Sequence, residues 1–291
     1  MKTFIVDIKN DGKNLNNVIL NSFSSLCPNT LYKALRKKDI KVNGTRVSKN
    51  ITVHSGDEIT MFISDELLYS NPINNNNIIY DDDNILVVNK PANMEVLGEN
   101  SLTENLTKLL NYEVYPCHRL DRNTSGLVLF SKDIETRDIL FEKFKNHEIE
   151  KHYLCTVYGI LKKNQDVLTA FLFKDSKNSR VYIKNSPEKG YQKIITEYKV
   201  LSCDKNNNTS VLDITLHTGK THQIRAHLAH IGYPILGDGK YGKNEINKKF
   251  GYKYQQLYSY SLEFKFTTPS GKLEYLKNKK IETNGTELKI H

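Results

Sequence analysis

The most concentrated set of ionisable side chains in the sequence lies in residues 117–130. Within five consecutive positions stand His118, Arg119, Asp121 and Arg122. A turn-forming run follows at 123–126, and the apolar run 127–130 then predicts a buried strand. Charge at the mouth of a buried strand is costly unless it is paired or used. The stretch therefore indicates either a surface turn with a local ion pair or an active site.

A second charged group lies in residues 216–232. A helix is predicted there, with Thr221 as its N-cap and Gly232 as its stop. His222 and Arg225 are three positions apart on this helix, so they lie about one turn apart on neighbouring faces.

Asp121 is the carboxylate that suggests a chemistry. Opposite charge nearby favours its ionised form, and an ionised aspartate can attack an electrophilic sugar or base carbon. Tyr153 follows in the next predicted strand, residues 151–159. Hydrolytic glycosidases usually need a second carboxylate as acid. No obvious partner for Asp121 is present, which argues against simple hydrolysis.

Metal and cofactor motifs are absent from the sequence. Three histidines share one predicted helix, and the last two have zinc-ligand spacing, but no cysteine or carboxylate motif accompanies them: His222, His227 and His230. Neither a Gly-x-Gly-x-x-Gly pattern, nor a phosphate loop, nor a Gly-x-Ser-x-Gly elbow occurs. We therefore expect a reaction that uses neither a metal nor a cofactor.

The composition is that of a basic, folded protein. The 291 residues carry a net charge of +9, and 38% of them are apolar. The charge favours a polyanionic partner, of which nucleic acid is the usual one. The four cysteines lie far apart, without metal or disulfide spacing, which predicts a reducing cytoplasm. No signal peptide or membrane-spanning run is evident, so we expect a cytoplasmic protein that does not bind membranes. We also expect it to be a monomer.

The order of predicted elements gives an α+β protein with two domains. Residues 1–70 combine short strands with two helices, the second of which ends in the basic cluster Arg36, Lys37 and Lys38. An Asn-rich linker is predicted at 71–77, because a polar tract without large apolar groups cannot pack. The second domain, 78–291, alternates strands and helices and closes with a predicted strand pair at 257–266 and 273–276.

Residues 14–63 resemble the alpha-L type of RNA-binding module, first named for a small-subunit ribosomal protein. The resemblance rests on the helix pair, its basic end, and the turn segments 42–44 and 56–59. It implies that the cluster Arg36, Lys37 and Lys38 lies against phosphates. The alternative is a solvated helix face.

Five segments of the second domain resemble the RluA-type pseudouridine synthases, in order and at the spacings of that family. They are 88–92, 118–127, 151–153, 216–225 and 232–238, and the match spans about residues 78–276. The resemblance implies a mixed, mostly antiparallel sheet with flanking helices. It also implies isomerisation of uridine to pseudouridine in structured RNA, with large-subunit ribosomal RNA as the first expectation, without a cofactor.

The resemblance also implies roles for individual residues. Asp121 would be the catalytic nucleophile, Tyr153 would sit against the target base, and Arg225 would pair with Asp121. Arg119 would take the place of the flipped nucleotide. Four further residues would contact the RNA: His118, Lys90, Lys220 and His222.

Several positions depart from the family pattern: Asn93, Leu97, Lys220 and the run 257–259. None of them is the predicted nucleophile, the tyrosine or the helix arginine. Two alternatives remain open, a transfer-RNA or dual substrate and an RNA-binding or ribosome-assembly protein without catalysis. The intact Asp121, Tyr153 and Arg225 argue against the second.

Overall fold

The computed structural model describes residues 1–23, 26, 28–63 and 73–283. Cys27, the end of the predicted first domain at 64–70 and the first two residues of the predicted linker lie outside these ranges. The chain divides into two units, Met1–Pro72 and Ile73–His291, and each is described by itself. Both contain helices and sheet, which confirms the predicted α+β class. Within the described ranges, no helix has the length and apolar content needed to cross a bilayer.

The N-terminal unit packs two helices against a four-stranded antiparallel sheet with strand order β1-β4-β2-β3. Its elements are β1 (Lys2–Ile5), a 3-10 turn (Ile8–Asn10), α1 (Leu15–Ser22), α2 (Pro28–Arg36), β2 (Ile40–Val42), β3 (Thr45–Val47) and β4 (Glu58–Met61). Asn43 and Gly44, with φ of 49° and 77°, form the predicted hairpin turn, in which both central residues need positive φ.

The second unit is built on one large sheet. Its strands are β5 (Ile78–Asp81), β6 (Ile85–Lys90), β7 (Tyr115–Pro116), β8 (Ser125–Ser131), β9 (Ile149–Tyr158), β10 (Gln165–Asp175), β11 (Arg180–Lys184), β12 (Gln192–Asp204), β13 (Thr209–Leu216), β14 (Leu257–Phe264) and β15 (Lys280–Glu282). Its helices are α3 (Leu102–Leu110), α4 (Ile134–Lys145), α5 (Gln223–His230) and α6 (Asn244–Phe250), with 3-10 turns at Asn75–Asn77 and Gly271–Leu276.

The strand order is β11-β10-β12-β13-β9-β14-β8-β6-β5, while β7 and β15 pair with β8 and β14. Every neighbouring pair is antiparallel except β8 with β14, which run parallel. This sheet confirms the predicted mixed, mostly antiparallel arrangement. The junction between β8 and β14 brings the chain just after the loop of Asp121 beside the start of β14, where Tyr258 and Ser259 pair with Ser125 and Gly126.

The apolar run 127–130 lies on β8, between β14 and β6, and is fully buried. Successive side chains point to opposite faces, so alternate residues enter two separate cores. Val128 and Phe130 pack in the core that includes Leu106 of α3, whereas Leu127 and Leu129 pack with Leu140 of α4. The strand behind the predicted active loop is therefore held on both faces.

The structure differs from the sequence prediction at two places. The part of the predicted linker that is described packs on the second unit: Ile73 is buried in the core, and Asn77 Nδ2 donates to the Asn89 carbonyl at 3.2 Å. The predicted strand at 273–276 is a 3-10 turn, and the closing strand is instead β15. Leu273 and Leu276 are both fully buried and three apart, which is the period of a 3-10 helix.

Candidate active site

Three separate elements bring the predicted catalytic residues to one cleft. Asp121 lies on the loop between β7 and β8, Tyr153 on β9 and Arg225 on α5. The cleft is lined by these three side chains together with three of the predicted RNA-binding residues: Arg119, Lys220 and His222. Residues far apart in sequence thus meet, because the parallel pairing of β8 and β14 places the Asp121 loop next to β9.

Arg225 joins two carboxylates. Its Nη1 donates to Asp121 Oδ2 at 2.7 Å, while Nε and Nη2 donate to Asp238 at 2.7 and 3.0 Å. The two-pronged contact is therefore made with Asp238, and only one N–H reaches Asp121. Burial opposes the charge of Arg225, but Asp238 and then Asp121 outweigh it, so the pKa of Arg225 is raised. The guanidinium is fixed in one plane by Asp238 and offers its remaining edge to Asp121.

Asp238 was not among the residues predicted for the site. Its side chain is 1% exposed, and besides Arg225 it accepts from the backbone N–H groups of Lys240 and Tyr241 at 2.8 and 3.0 Å. Burial tends to raise the pKa of Asp238, yet Arg225 lowers it overall. In the sequence, Asp238 stood out only as the last residue of the segment 232–238. Asp238 pairs with Arg225 and not with Asp121, so looking for partners of Asp121 does not identify it.

Tyr153 forms the floor of the cleft. The ring is buried, and burial first and the charge of Asp121 second raise the pKa of its phenol above the ordinary value. The phenol is therefore neutral near pH 7. Ser259 of β14 lies opposite Tyr153 in the strand register and is itself fully buried.

His222 is held with its ring between Tyr241 and Asp121. It occupies the N-cap of α5 with φ of 54°, a left-handed conformation that is uncommon outside glycine. Its Nδ1 lies 2.8 Å from the Tyr241 hydroxyl, and its Nε2 lies 3.9 Å from Asp121 Oδ1. Burial lowers the pKa of His222, and the Asp121 charge only partly offsets this. The imidazole is therefore neutral at pH 7.

The partners of Tyr241 indicate which ring nitrogen of His222 carries the proton. The backbone N–H of Val181 donates to the Tyr241 oxygen at 2.9 Å. The Tyr241 hydroxyl hydrogen is then available for Nδ1 of His222, and we assign Nδ1 as its acceptor. In the neutral ring the other nitrogen, Nε2, is then the N–H, and it faces Asp121.

Two of the predicted RNA-binding side chains, His118 and Lys90, make their hydrogen bonds within the protein. His118 Nε2 accepts the Leu129 backbone N–H at 3.1 Å, and burial lowers its pKa to about 3. Lys90 is 1% exposed and donates to the carbonyls of Pro91, Met94 and Arg122 at 2.8, 2.8 and 3.1 Å. Both side chains brace the loop of Asp121 from within. Nothing in the sequence indicated that these two polar side chains would turn inward.

The mouth of the cleft is basic. Arg119 and Lys220 are exposed there, and Lys151 joins them in the adjoining part of the cleft. Burial lowers the pKa of Lys151 to about 8, and its Nζ lies 4.8 Å from the centre of the Phe144 ring. Lys151 was part of the resembling segment 151–153 but had no predicted role.

The predicted basic cluster Arg36, Lys37 and Lys38 belongs to the N-terminal unit and is exposed at the end of α2. Arg46 adds to it by donating to the Lys38 carbonyl at 2.6 Å. Lys41 and Arg46 each lie 5.5 Å from the centre of the half-exposed Phe62 ring. The unit therefore presents several cations around one aromatic ring.

The two histidines with zinc-ligand spacing make other contacts. His227 is buried with Nδ1 3.0 Å from the Thr196 hydroxyl, and burial lowers its pKa to about 4. His230 Nε2 lies 2.7 Å from the side-chain oxygen of Asn185. The two imidazoles thus serve the packing of α5 on the sheet.

Comparisons with known proteins point to one family. A family model described as RNA pseudouridylate synthase matches residues 84–230. The ribosomal large subunit pseudouridine synthase C of Rickettsia conorii is 32% identical over 270 residues, which cover 86% of this chain and 88% of that protein. The protein of the same name from Buchnera aphidicola subsp. Baizongia pistaciae is 30% identical over 270 residues, covering 86% and 85%.

A solved structure supports the same fold. Human RNA Pseudouridylate Synthase Domain Containing 1 is similar with a TM-score of 0.58 and 24% identity, over 66% of this chain and 79% of that one. The predicted RluA-type resemblance is thereby confirmed. The chain belongs to the RNA pseudouridylate synthase family and is an RNA pseudouridine synthase, an isomerase.

Proposed function

We propose that this synthase isomerises uridines in large-subunit ribosomal RNA, with Asp121 as the nucleophile. The substrate is supported by relatives named for the ribosomal large subunit, whose length the chain spans almost entirely. The assignment of Asp121 as the nucleophile rests on the contacts of its two carboxylate oxygens. Arg225 holds Oδ2, while Oδ1 makes no hydrogen bond within the described residues and borders the cleft.

The chemistry requires the target uridine to leave its helix, because the glycosidic bond is not reachable within the stack. Arg119, exposed at the mouth of the cleft, is placed to fill the gap that the base leaves and to bind phosphate. The uracil enters against Tyr153. The bond from the sugar to N1 breaks, the uracil turns, a bond from the same sugar carbon to C5 forms, and the C5 proton moves to N1 through solvent.

The charges around Asp121 suit this reaction. A carboxylate that attacks must be aimed at its target, and the guanidinium of Arg225 holds that of Asp121 in place. Asp238 keeps Arg225 in place by accepting two of its N–H groups. The neutral Nε2–H of His222, on the other side of Asp121, can donate to the carboxylate or to a substrate oxygen. The neutral phenol of Tyr153 serves mainly as a stacking surface.

We also propose that the N-terminal unit is the RNA-binding module that the sequence suggests. The exposed cations Arg36, Lys37 and Lys38, together with Phe62 between Lys41 and Arg46, combine phosphate attraction with a ring on which a base can stack. The three cysteines within the described ranges, Cys117, Cys155 and Cys203, are unpaired, which supports a reducing, cytoplasmic location. A monomeric state completes the proposal.

Tritium release from transcripts containing C5-tritiated uridine tests the substrate. Large-subunit ribosomal RNA, small-subunit ribosomal RNA and a transfer-RNA mixture are compared at equal uridine content, with Asp121→Asn as the matched blank. The proposal expects release from the large-subunit transcript alone, at a few positions that carbodiimide-dependent reverse-transcription stops then map. Release from transfer RNA alone would contradict it, and equal release from both would show a dual substrate.

A further inference from the structure

One edge of the large sheet presents aromatic rings to solvent. On β10, β11 and β12 the residues whose side chains point toward α5 form a small core, namely Ala170, Leu172, Val181 and Ile194, closed by Ala226 of the helix. Because side chains alternate along a strand, their neighbours point to the opposite face. There Phe173 is 39% and Tyr182 is 47% exposed. Both of these rings are therefore partly open to solvent.

The rings on this face form a compact group. Phe173 and Tyr182 are directly opposite each other in the antiparallel register of β10 and β11. Tyr191, from the loop before β12, lies with its ring centre 5.4 Å from that of Phe173. Lys184 Nζ lies 5.2 Å from the centre of the Tyr191 ring and pairs with Glu188. We call the group of Phe173, Tyr182, Tyr191 and Lys184 the aromatic platform.

The surroundings of the platform are basic. Residues 174–199 contain seven lysines and arginines and three acidic residues. Two of the three acids are engaged locally, since Glu188 pairs with Lys184 and Glu197 lies 2.8 Å from His217 Nε2. Protein–protein interfaces are depleted of lysine at their centres. Aromatic rings interleaved with lysines are instead the arrangement on which unpaired nucleotides stack.

The platform also lies near the cleft in space. β11 is the edge strand of the sheet, and its first residue, Arg180, lies 5.4 Å from the Tyr241 ring that contacts His222. Tyr182 follows two residues later, about 7 Å along the strand. A strand of RNA that leaves the cleft past Tyr241 therefore needs only to turn around the β11 edge to reach the platform.

We propose that the aromatic platform binds unpaired nucleotides that flank the target uridine, outside the catalytic cleft. The proposal deepens the proposed function, since it takes the partner to be RNA. The rings supply sequence-tolerant stacking, while Lys184 and its neighbours attract the phosphates. Single-stranded RNA is the expected ligand, because a base pair within a duplex does not expose its face to a ring.

The test measures binding of the full-length protein to a fluorescein-labelled 12-nucleotide single-stranded RNA of mixed sequence and to a 12-base-pair duplex of the same sequence. Tyr182→Ala and Phe173→Ala should each weaken single-strand binding about tenfold and leave duplex binding within about twofold. Tyr182→Phe should bind as the parent does, because stacking needs the ring and not the hydroxyl. Phe141→Ala is the matched control, because Phe141 is also exposed on α4 with a cation, Arg137, 5.7 Å from its ring.

Catalysis provides the second readout, on the same RNA substrate that supports turnover. Tyr182→Ala should raise KM about tenfold with kcat unchanged, which also shows that the variant is folded. Asp121→Asn should lose kcat yet bind the single-stranded probe normally, so failure of the proposed nucleophile and failure of the platform are separable. Parent-like probe affinity in both alanine variants would overturn the proposal. So would sedimentation showing a dimer of the parent that Tyr182→Ala dissociates, since the face would then bind a second copy.

Discussion

At the scale of single residues, one arginine of the cleft is shared between two carboxylates. Arg225 has three N–H groups in use, two on the buried Asp238 and one on Asp121. A buried carboxylate left without its partner is strongly destabilising, so the Arg225–Asp238 pair fixes the position of the guanidinium. The third N–H then orients Asp121, the proposed nucleophile. The sequence resemblance predicted the pairing of Arg225 with Asp121 but not the carboxylate behind it.

Arg225→Lys tests this sharing. A lysine keeps the positive charge but has a single nitrogen, which cannot hold Asp238 in two places and still reach Asp121. We expect kcat to fall about 100-fold, because a nucleophile displaced by about 1 Å loses that much, with RNA affinity changed by less than about threefold. Single-turnover tritium release and filter binding measure the two quantities, and Arg137→Lys on α4 is the control. A loss of affinity with kcat intact would make Arg225 a phosphate contact.

Tyr241→Phe tests the proton position on His222. Without the hydroxyl, Nδ1 of His222 loses its donor, and the neutral ring is free to place its proton on either nitrogen. Two-bond ¹H–¹⁵N correlation spectra at pH 8 should show the Nε2–H form in the parent and a mixture in the variant. Spectra showing Nδ1–H in the parent would contradict the assignment. Since burial lowers the pKa of His222, its neutral form should persist on lowering the pH below the pKa of a free histidine.

At the scale of elements, strands and helices were predicted correctly where apolar residues followed a single period or formed one continuous run. The run 127–130, the strand of Tyr153 and the helix of Arg225 all appear, because each carries one clear period or one continuous apolar run. The N-cap of that helix is His222 and not the predicted Thr221. Residues 160–195 could not be assigned clearly. The strands there carry apolar residues on both faces, among them the exposed Phe173 and Tyr182, so the alternation that identifies a strand is blurred.

Gly126→Ala tests the close pairing of β8 with β14. Gly126 has φ of 112°, and a Cβ atom there would lie 2.2 Å from the Ser259 carbonyl oxygen, which is backbone and cannot move aside. We expect a decrease of about 3 kcal/mol or more in the free energy of unfolding, with activity falling in proportion to unfolded protein. Urea titration measures it. Gly239→Ala is the control, since nothing lies within 4 Å of its added Cβ. Equal stability of the two variants would show that the backbone where β8 pairs with β14 can adjust to an added Cβ atom.

At the scale of the whole molecule, the cleft and the basic cluster belong to different units. All the residues of the cleft belong to the second unit, whereas the cluster of Arg36, Lys37 and Lys38 belongs to the first. The basic net charge predicted a nucleic-acid partner, but a net charge does not show which residues contact that partner. The sequence could not show that Lys90 is buried while Arg119 is exposed, because that difference depends on how distant loops close over the chain.

Replacing Arg36, Lys37 and Lys38 by glutamine tests the role of the N-terminal unit. Cations that neutralise phosphates release counterions, so the plot of log affinity against log salt should become shallower by about 0.9 for each duplex phosphate that is no longer neutralised. We expect weaker binding at low salt with kcat unchanged at saturation. Lys9, Lys13 and Lys49 lie in the same unit and are also exposed, so their triple glutamine variant is charge-matched. The idea fails if both variants show the parent's slope.

The central claim is that an ionised Asp121, held by Arg225, attacks the target nucleotide. Asp121→Asn keeps the size of the side chain and removes its charge, and asparagine can still accept a hydrogen bond from Arg225 Nη1. The most direct measurement follows tritium release from large-subunit ribosomal RNA in single turnover, together with RNA binding by the same samples. The account predicts binding within about threefold of the parent and no release above the blank. Release at a substantial fraction of the parent rate, from a variant whose mass is verified and whose aspartate has not reformed by deamidation, would contradict it.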